Sequence, residues 1–272
     1  MANRFDGLTA WITGGGSGIG RALALELARR GADVAVSGRR EDRLAQVAAE
    51  IQALGRRGVP IPCDVTDEDA VRRASDRVVA QLGRLDVAVA NAGFGVVGPL
   101  ETLTAAEWRR QLDVNVVGVA MTAKHALPYL RETKGRLAIV GSVAGFVPLA
   151  KNGAYVASKA AVRAIGQTLA IELAGSGVSV TTIHPGFVES EIAQVDNEGR
   201  FDATRSDPRP RKLMWRAEDA ARVMADAIAR RKREYVFTAH GKLGAFLGQH
   251  LPGLTVFAQA RTSKRARREK RA

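Results

Sequence analysis

Cysteine is almost missing from this chain, with Cys63 the only one in 272 residues. A disulfide within the chain is thereby excluded, as is a cysteine-rich metal site of the usual spacing, so no metal is expected and a reducing compartment is. Residues 1–7, MANRFDG, lack the apolar run of a signal peptide and lead straight into a candidate strand. Export is not expected, and a cytoplasmic location is. No fixed period recurs, which excludes collagen-like and repeat architectures. Aromatic residues make up only 5%, against 28 glycines. That balance suits an α/β sheet with short connections, where backbones pass closely and small side chains pack.

The chain is 46% hydrophobic, enough to bury one large core, and nothing in its make-up demands a second domain. Its formal charge is +13, which raises nucleic acid or an anionic membrane as a partner. Much of that charge is terminal: Arg261, Lys264, Arg265, Arg267, Arg268, Lys270 and Arg271 stand against Glu269 alone in the last twelve residues.

Short β-branched runs at Leu8 to Thr13, Asp33 to Gly38, Gly58 to Cys63, Leu85 to Ala90, Arg136 to Gly141 and Val178 to His184 predict buried strands. Amphipathic stretches between them predict helices, and this alternation implies a parallel sheet covered on both faces. From Glu189 to Arg216 the periodicity weakens and Asp207-Pro-Arg-Pro-Arg211 interrupts any helix, which predicts a mobile loop over the site. A helix near Ala217 to Arg231 and a short strand, Tyr235 to Thr238, complete the sheet.

The segment Thr13-Gly-Gly-Gly-Ser-Gly-Ile-Gly20 joins the first strand to the first helix. In that context Gly14, Ser17, Gly18, Ile19 and Gly20 are candidates to hold a dinucleotide pyrophosphate at a helix N-terminus. Where an NAD site usually places a carboxylate at the end of strand two, this chain has Arg39. An arginine pairs with a 2′-phosphate, so NADP(H) is expected in preference to NAD(H). Asp64 and Val65 end strand three, and Asn91, Ala92 and Gly93 end strand four. Both lie on the edge where open sheets bind ligands, though Asp and Asn also serve as plain turn or cap residues.

Ser142 ends a strand, and Tyr155 and Lys159 stand one helical turn apart on one face. A tyrosine near pKa 10 is a poor base, but a neighbouring ammonium and a nicotinamide cation favour its phenolate. Ser142 then donates to the substrate oxygen and Tyr155 exchanges the proton.

These motifs, in this order, resemble the short-chain dehydrogenase/reductase family over roughly residues 6 to 240. The resemblance implies a single doubly wound α/β domain of Rossmann type, with a mainly parallel sheet of about seven strands and helices on both faces. It also implies a catalytic role for Asn115, whose bound water connects the lysine to solvent; read by itself, Asn115 is only a helix residue. By the same likeness Pro185, Gly186, Val188 and Ser190 position the nicotinamide carboxamide, with Ser190 where the family more often has threonine. The expected activity is hydride transfer between nicotinamide and a carbonyl or alcohol carbon. The expected assembly is a homo-oligomer, a dimer or tetramer, formed through helices near Asn115 to Arg131 and Tyr155 to Leu173.

Residues 1–240 are thus expected to form the enzyme domain, 241–260 an amphipathic segment and 261–272 a disordered basic tail. The eighteen residues between Lys242 and Arg261 carry no formal charge, but Gln249, His250, Pro252 and Gly253 argue against a membrane span. The stripe Leu243, Phe246, Leu247, Leu251 and Leu254 either covers the pocket or a subunit contact, or lies on an anionic membrane surface on the cytoplasmic side. It also resembles the C-termini of lipid- and steroid-directed, membrane-associated members of the family, which points to a lipophilic substrate. Nucleic acid is disfavoured because the tail has no interleaved aromatics. Two non-catalytic alternatives remain open: an NADP-binding sensor and a membrane-attached interaction protein.

Overall fold

The computed structural model describes residues 4–269. Seven strands form one sheet: β1 (Thr9–Thr13), β2 (Asp33–Gly38), β3 (Gly58–Pro62), β4 (Val87–Ala90), β5 (Arg136–Val140), β6 (Ser179–His184) and β7 (Glu234–Val236). Their order is β3-β2-β1-β4-β5-β6-β7, and every pairing is parallel. The central strands are buried along their whole length, which is why they read as continuous apolar runs rather than as alternation.

Helices α1 (Gly18–Arg29), α2 (Glu41–Ala53) and α7 (Ala217–Ala229) cover one face. On the other lie α3 (Glu68–Leu82), α5 (Gly118–Glu132) and α6 (Gly153–Glu172). Between α3 and α5 comes the short α4 (Ala105–Leu112), whose start is fixed by a reciprocal Thr104–Glu107 capping box. The sheet runs outward from β1 to β3, then resumes with β4 on the other side of β1. That switch point opens a crevice beyond the carboxyl ends of β1 and β4.

Two C-terminal helices follow, α8 (Ala239–His250) and α9 (Pro252–Glu269). The α9 backbone carries the first part of the basic segment as helix as far as Glu269. Proline at the first helical position and a run of arginine, alanine and lysine favour it. Residues 270–272 of the expected disordered tail lie outside the described residues. The segment from Glu189 to Arg216 contains two short 3-10 turns, and Val188 bridges to Trp215 and Val195 to Phe201. Hydrogen bonds from Arg39 to the Gly199 carbonyl, from the Val97 amide to Asn197 and from Asn197 to Glu107 tie the predicted loop to the body.

Candidate active site

The crevice is a cleft of about 660 Å³, within the usual range for small-molecule sites. Every residue predicted to contact cofactor or substrate lines it except Asn115, which lies fully buried behind it.

At its floor, Gly14 adopts a positive φ of 65°, and a side chain there would press within 2.9 Å of the Ala92 backbone. At Gly20 a Cβ would collide with the Gly14 carbonyl and the Asn91 amide. Asn91 holds the two strand ends together, donating from Nδ2 to the Thr13 carbonyl at 2.9 Å. Ser17 caps no α1 amide with its side chain, and the first turn holds no acid. The positive end of α1 is thus left for a ligand anion. Gly20→Ala is expected to cost about 1–3 kcal/mol through this overlap and to weaken dinucleotide binding, measured as a lower Tm and a higher NADPH Kd. Wild-type values for both would show that the loop has room to shift.

At the β2 end, Arg39 donates from Nη2 to the Gly199 carbonyl at 2.7 Å. Its neighbour Arg40, which sequence reasoning passed over, donates to Ser17 Oγ at 2.9 Å and pairs with Glu191 at 2.7 Å. The Arg-Arg doublet was visible in the sequence; which of its members faces the glycine loop was not. Asp64 accepts from the amide and hydroxyl of Thr66 through Oδ1, so the turn role is realised by that oxygen while the residue still borders the cleft. Glycine geometry, an open helix terminus and two arginines, with no carboxylate at the carboxyl end of β2, form a donor set that fits a dinucleotide carrying a 2′-phosphate.

On the opposite wall, Ser142 ends the β5 connection and accepts from the Ala144 amide at 3.1 Å. Its side chain also stands near enough to the Tyr155 phenol to favour the phenolate. Burial holds the Tyr155 phenol above its ordinary pKa, opposed by Ser142 and by the charge of Arg209. Burial likewise lowers the Lys159 ammonium to about 8. Lys159 Nζ donates to the Val140 carbonyl at 2.9 Å and sits 5.8 Å from the centre of the Tyr155 ring. The lysine-driven depression expected for Tyr155 is not what the protein alone provides, because desolvation of the phenol dominates.

Asn115 lies in a π-helical turn, Asp113–Val117. Its Oδ1 accepts from the Phe94 amide at 3.0 Å, and its Nδ2 donates to the Phe94 carbonyl and to Ser158 Oγ. A Cβ at Gly93 would stand 3.1 Å from Asn115 Oδ1 and 3.7 Å from Lys159 Nζ, so this glycine lets both approach the strand end.

Two further groups were beyond sequence reasoning. Arg209 folds back to donate to the Val188 and Ser190 carbonyls at 2.9 Å each, and pairs with Asp207 at 2.7 Å. It thereby fixes the segment predicted to position a carboxamide. Buried His184 sets Nδ1 3.3 Å from the Ser142 carbonyl and Nε2 2.9 Å from Glu234. The His184 bond first, then Arg163, holds the Glu234 carboxyl down to about 2. No periodic or motif signal marks either group, since their partners are distant in sequence.

A parallel doubly wound sheet with a glycine loop and this cleft at its switch point defines a dinucleotide-binding fold. The short chain dehydrogenase family model matches residues 8–200, and the chain belongs to that family, whose fold binds a nicotinamide cofactor. It is 39% identical to an uncharacterized oxidoreductase of Myxococcus xanthus over 254 residues, covering 93% of this chain and 96% of that one. A short chain dehydrogenase of Burkholderia cenocepacia, solved in complex with NADP, superposes with TM-score 0.78 at 34% identity, over 88% of this chain and 99% of that one. A Burkholderia phymatum relative, solved in complex with NAD, gives TM-score 0.78 at 30% identity, over 86% and 89%.

Proposed function

We propose that this protein is an NADP(H)-dependent oxidoreductase that interconverts a lipophilic ketone or aldehyde and its alcohol, with Tyr155 as the proton donor and acceptor. The observation that carries the reading is the convergence of Ser142, Tyr155 and Lys159 on the cleft wall opposite the glycine loop. When bound, the nicotinamide supplies or accepts the hydride.

Tyr155 Oη donates the proton that completes the alcohol, and Ser142 Oγ orients the substrate oxygen toward it. Lys159 holds its positive charge beside the phenol, and Asn115 fixes the Phe94 strand end and α6 relative to one another. A phenol held above its ordinary pKa is protonated at neutral pH, which suits it to donate in the reducing direction. Arg39 and Arg40 support NADP(H) over NAD(H). Phe94, Val114, Ile192, Val195 and Phe201 line the cleft and support an apolar substrate. The lateral groove formed by Ala123, Leu127, Ile165 and Leu169 of α5 and α6 supports pairing with a second copy.

The test is NADPH and NADH oxidation against a panel of hydrophilic and lipophilic carbonyls. Selective NADPH turnover with lipophilic carbonyls is expected. The kcat/KM for NADPH, which reports the free enzyme, should fall above pH about 8 as Lys159 loses its proton. Preference for NADH, or for small hydrophilic carbonyls, would overturn the corresponding half of the reading.

A further inference from the structure

Helix α8 rests on the turn after Ser142 through its small residues. Gly244 would meet Val143 with any added Cβ, and Gly248 would collide with the Phe146 carbonyl. The side of α8 turned away from that contact carries Leu243 at 60% and Phe246 at 58% exposure. Beyond it α9 barely touches the body: only Thr255 is buried among its described side chains, while Leu254, Val256 and Phe257 are 53–56% exposed. None of these apolar residues lines the cleft. The lid alternative therefore leaves them unaccounted for.

From this juxtaposition we infer that α8 and α9 form a docking surface for an anionic lipid bilayer. Helix α9 is divided along its axis rather than around it. Residues 252–260 carry no charge, and from Arg261 to Glu269 the helix carries five basic residues and one acid. At about 1.5 Å per residue the uncharged half is roughly 13 Å long, less than half of the ~30 Å hydrocarbon core. No helix among the described residues is long and apolar enough to cross a membrane. The uncharged half thus reaches into one leaflet and the basic half stays among the headgroups. At the junction the Arg261 guanidinium lies 5.1 Å from the centre of the Phe257 ring, an apolar body with a cationic tip.

A second copy fits this surface less well. A two-fold pairing of α9 with itself sets one basic run beside another, and like charges across an interface oppose association. A bilayer rich in acidic headgroups answers both halves of the helix. Because α8 lies on the turn that follows Ser142, docking also brings the catalytic side of the cleft to the membrane. That last step rests on the proposed function; the lipid contact does not.

The experiment is cosedimentation of the full chain with vesicles of phosphatidylcholine alone and of phosphatidylcholine with phosphatidylserine. Binding to the anionic vesicles is expected to exceed binding to neutral ones by at least about tenfold and to fall with added salt. Phe246→Ser combined with Phe257→Ser should lose about tenfold or more of that binding, with circular dichroism unchanged because both rings are exposed. Arg265→Glu combined with Arg268→Glu should remove the preference for anionic vesicles. Failure to bind either vesicle would overturn the inference, as would equal binding by wild type and the double serine variant. If the double serine variant instead dissociates an oligomer seen by light scattering, the surface is a subunit contact and the inference falls. Activity on a water-soluble carbonyl is read separately, so loss of turnover is not mistaken for loss of docking.

Discussion

Tyr155→Phe is expected to lower kcat for carbonyl reduction by about 10²- to 10⁴-fold, the usual worth of a positioned general acid, while NADPH Kd stays within about twofold. The argument rests on what the hydroxyl does and what the ring does. The ring packs beside Gly95, where an added Cβ would stand 3.5 Å from Tyr155 Cδ2, and under Lys159. Phenylalanine preserves both contacts. Only the hydroxyl is lost, and Ser142, an alcohol far less acidic than a phenol, hydrogen-bonds the substrate oxygen without replacing Tyr155 as its proton donor. Lys159 is committed to the Val140 carbonyl at 2.9 Å. Stopped-flow turnover and fluorescence titration of NADPH separate the two quantities. A variant that keeps more than a tenth of wild-type kcat would remove Tyr155 from its assigned role, and loss of NADPH binding would make its role structural.

The strands were legible because a buried parallel strand is a short apolar run bounded by glycine, aspartate or asparagine. All seven fall within a few residues of their expected places, from Thr9–Thr13 to Glu234–Val236. The glycine loop was legible for a related reason: its local order, strand then glycines then helix, is itself the geometry. The Tyr155 and Lys159 pair could be placed because helical spacing converts sequence distance into spatial distance. What escaped depends on contacts between distant positions. Arg209 reaches Val188 across 21 residues and His184 reaches Glu234 across 50, and nothing local distinguishes either from a solvated arginine or a core histidine. The split between α8 and α9 at Pro252 was only half visible, since one stripe was drawn through both. Burial, which raises Tyr155 against the lysine and nicotinamide charges expected to lower it, is a property of the folded chain and has no local signature.

The second large effect concerns cofactor choice. Arg39→Ala combined with Arg40→Ala should raise NADPH Kd by about 10²- to 10³-fold and leave NADH Kd within about threefold. A hydrogen bond to a charged group contributes about 1.5–3 kcal/mol, and each 1.4 kcal/mol is a factor of ten. Two arginines on one dianionic phosphate therefore give several powers of ten before solvent exposure reduces them, and Arg39 is exposed. The two contribute differently. Arg39 is tied only to the Gly199 carbonyl, so its removal should read as simple loss of attraction. Arg40 also neutralises Glu191 at 2.7 Å and steadies Ser17. Its loss leaves an acid unpaired at the cleft wall, where it repels the same phosphate. Arg40→Ala alone should then exceed Arg39→Ala alone, and Arg40→Ala with Glu191→Gln should recover part of the difference. NADPH and NADH weakened equally would place both arginines on the shared pyrophosphate or on the fold, and the NADP preference would lose its basis.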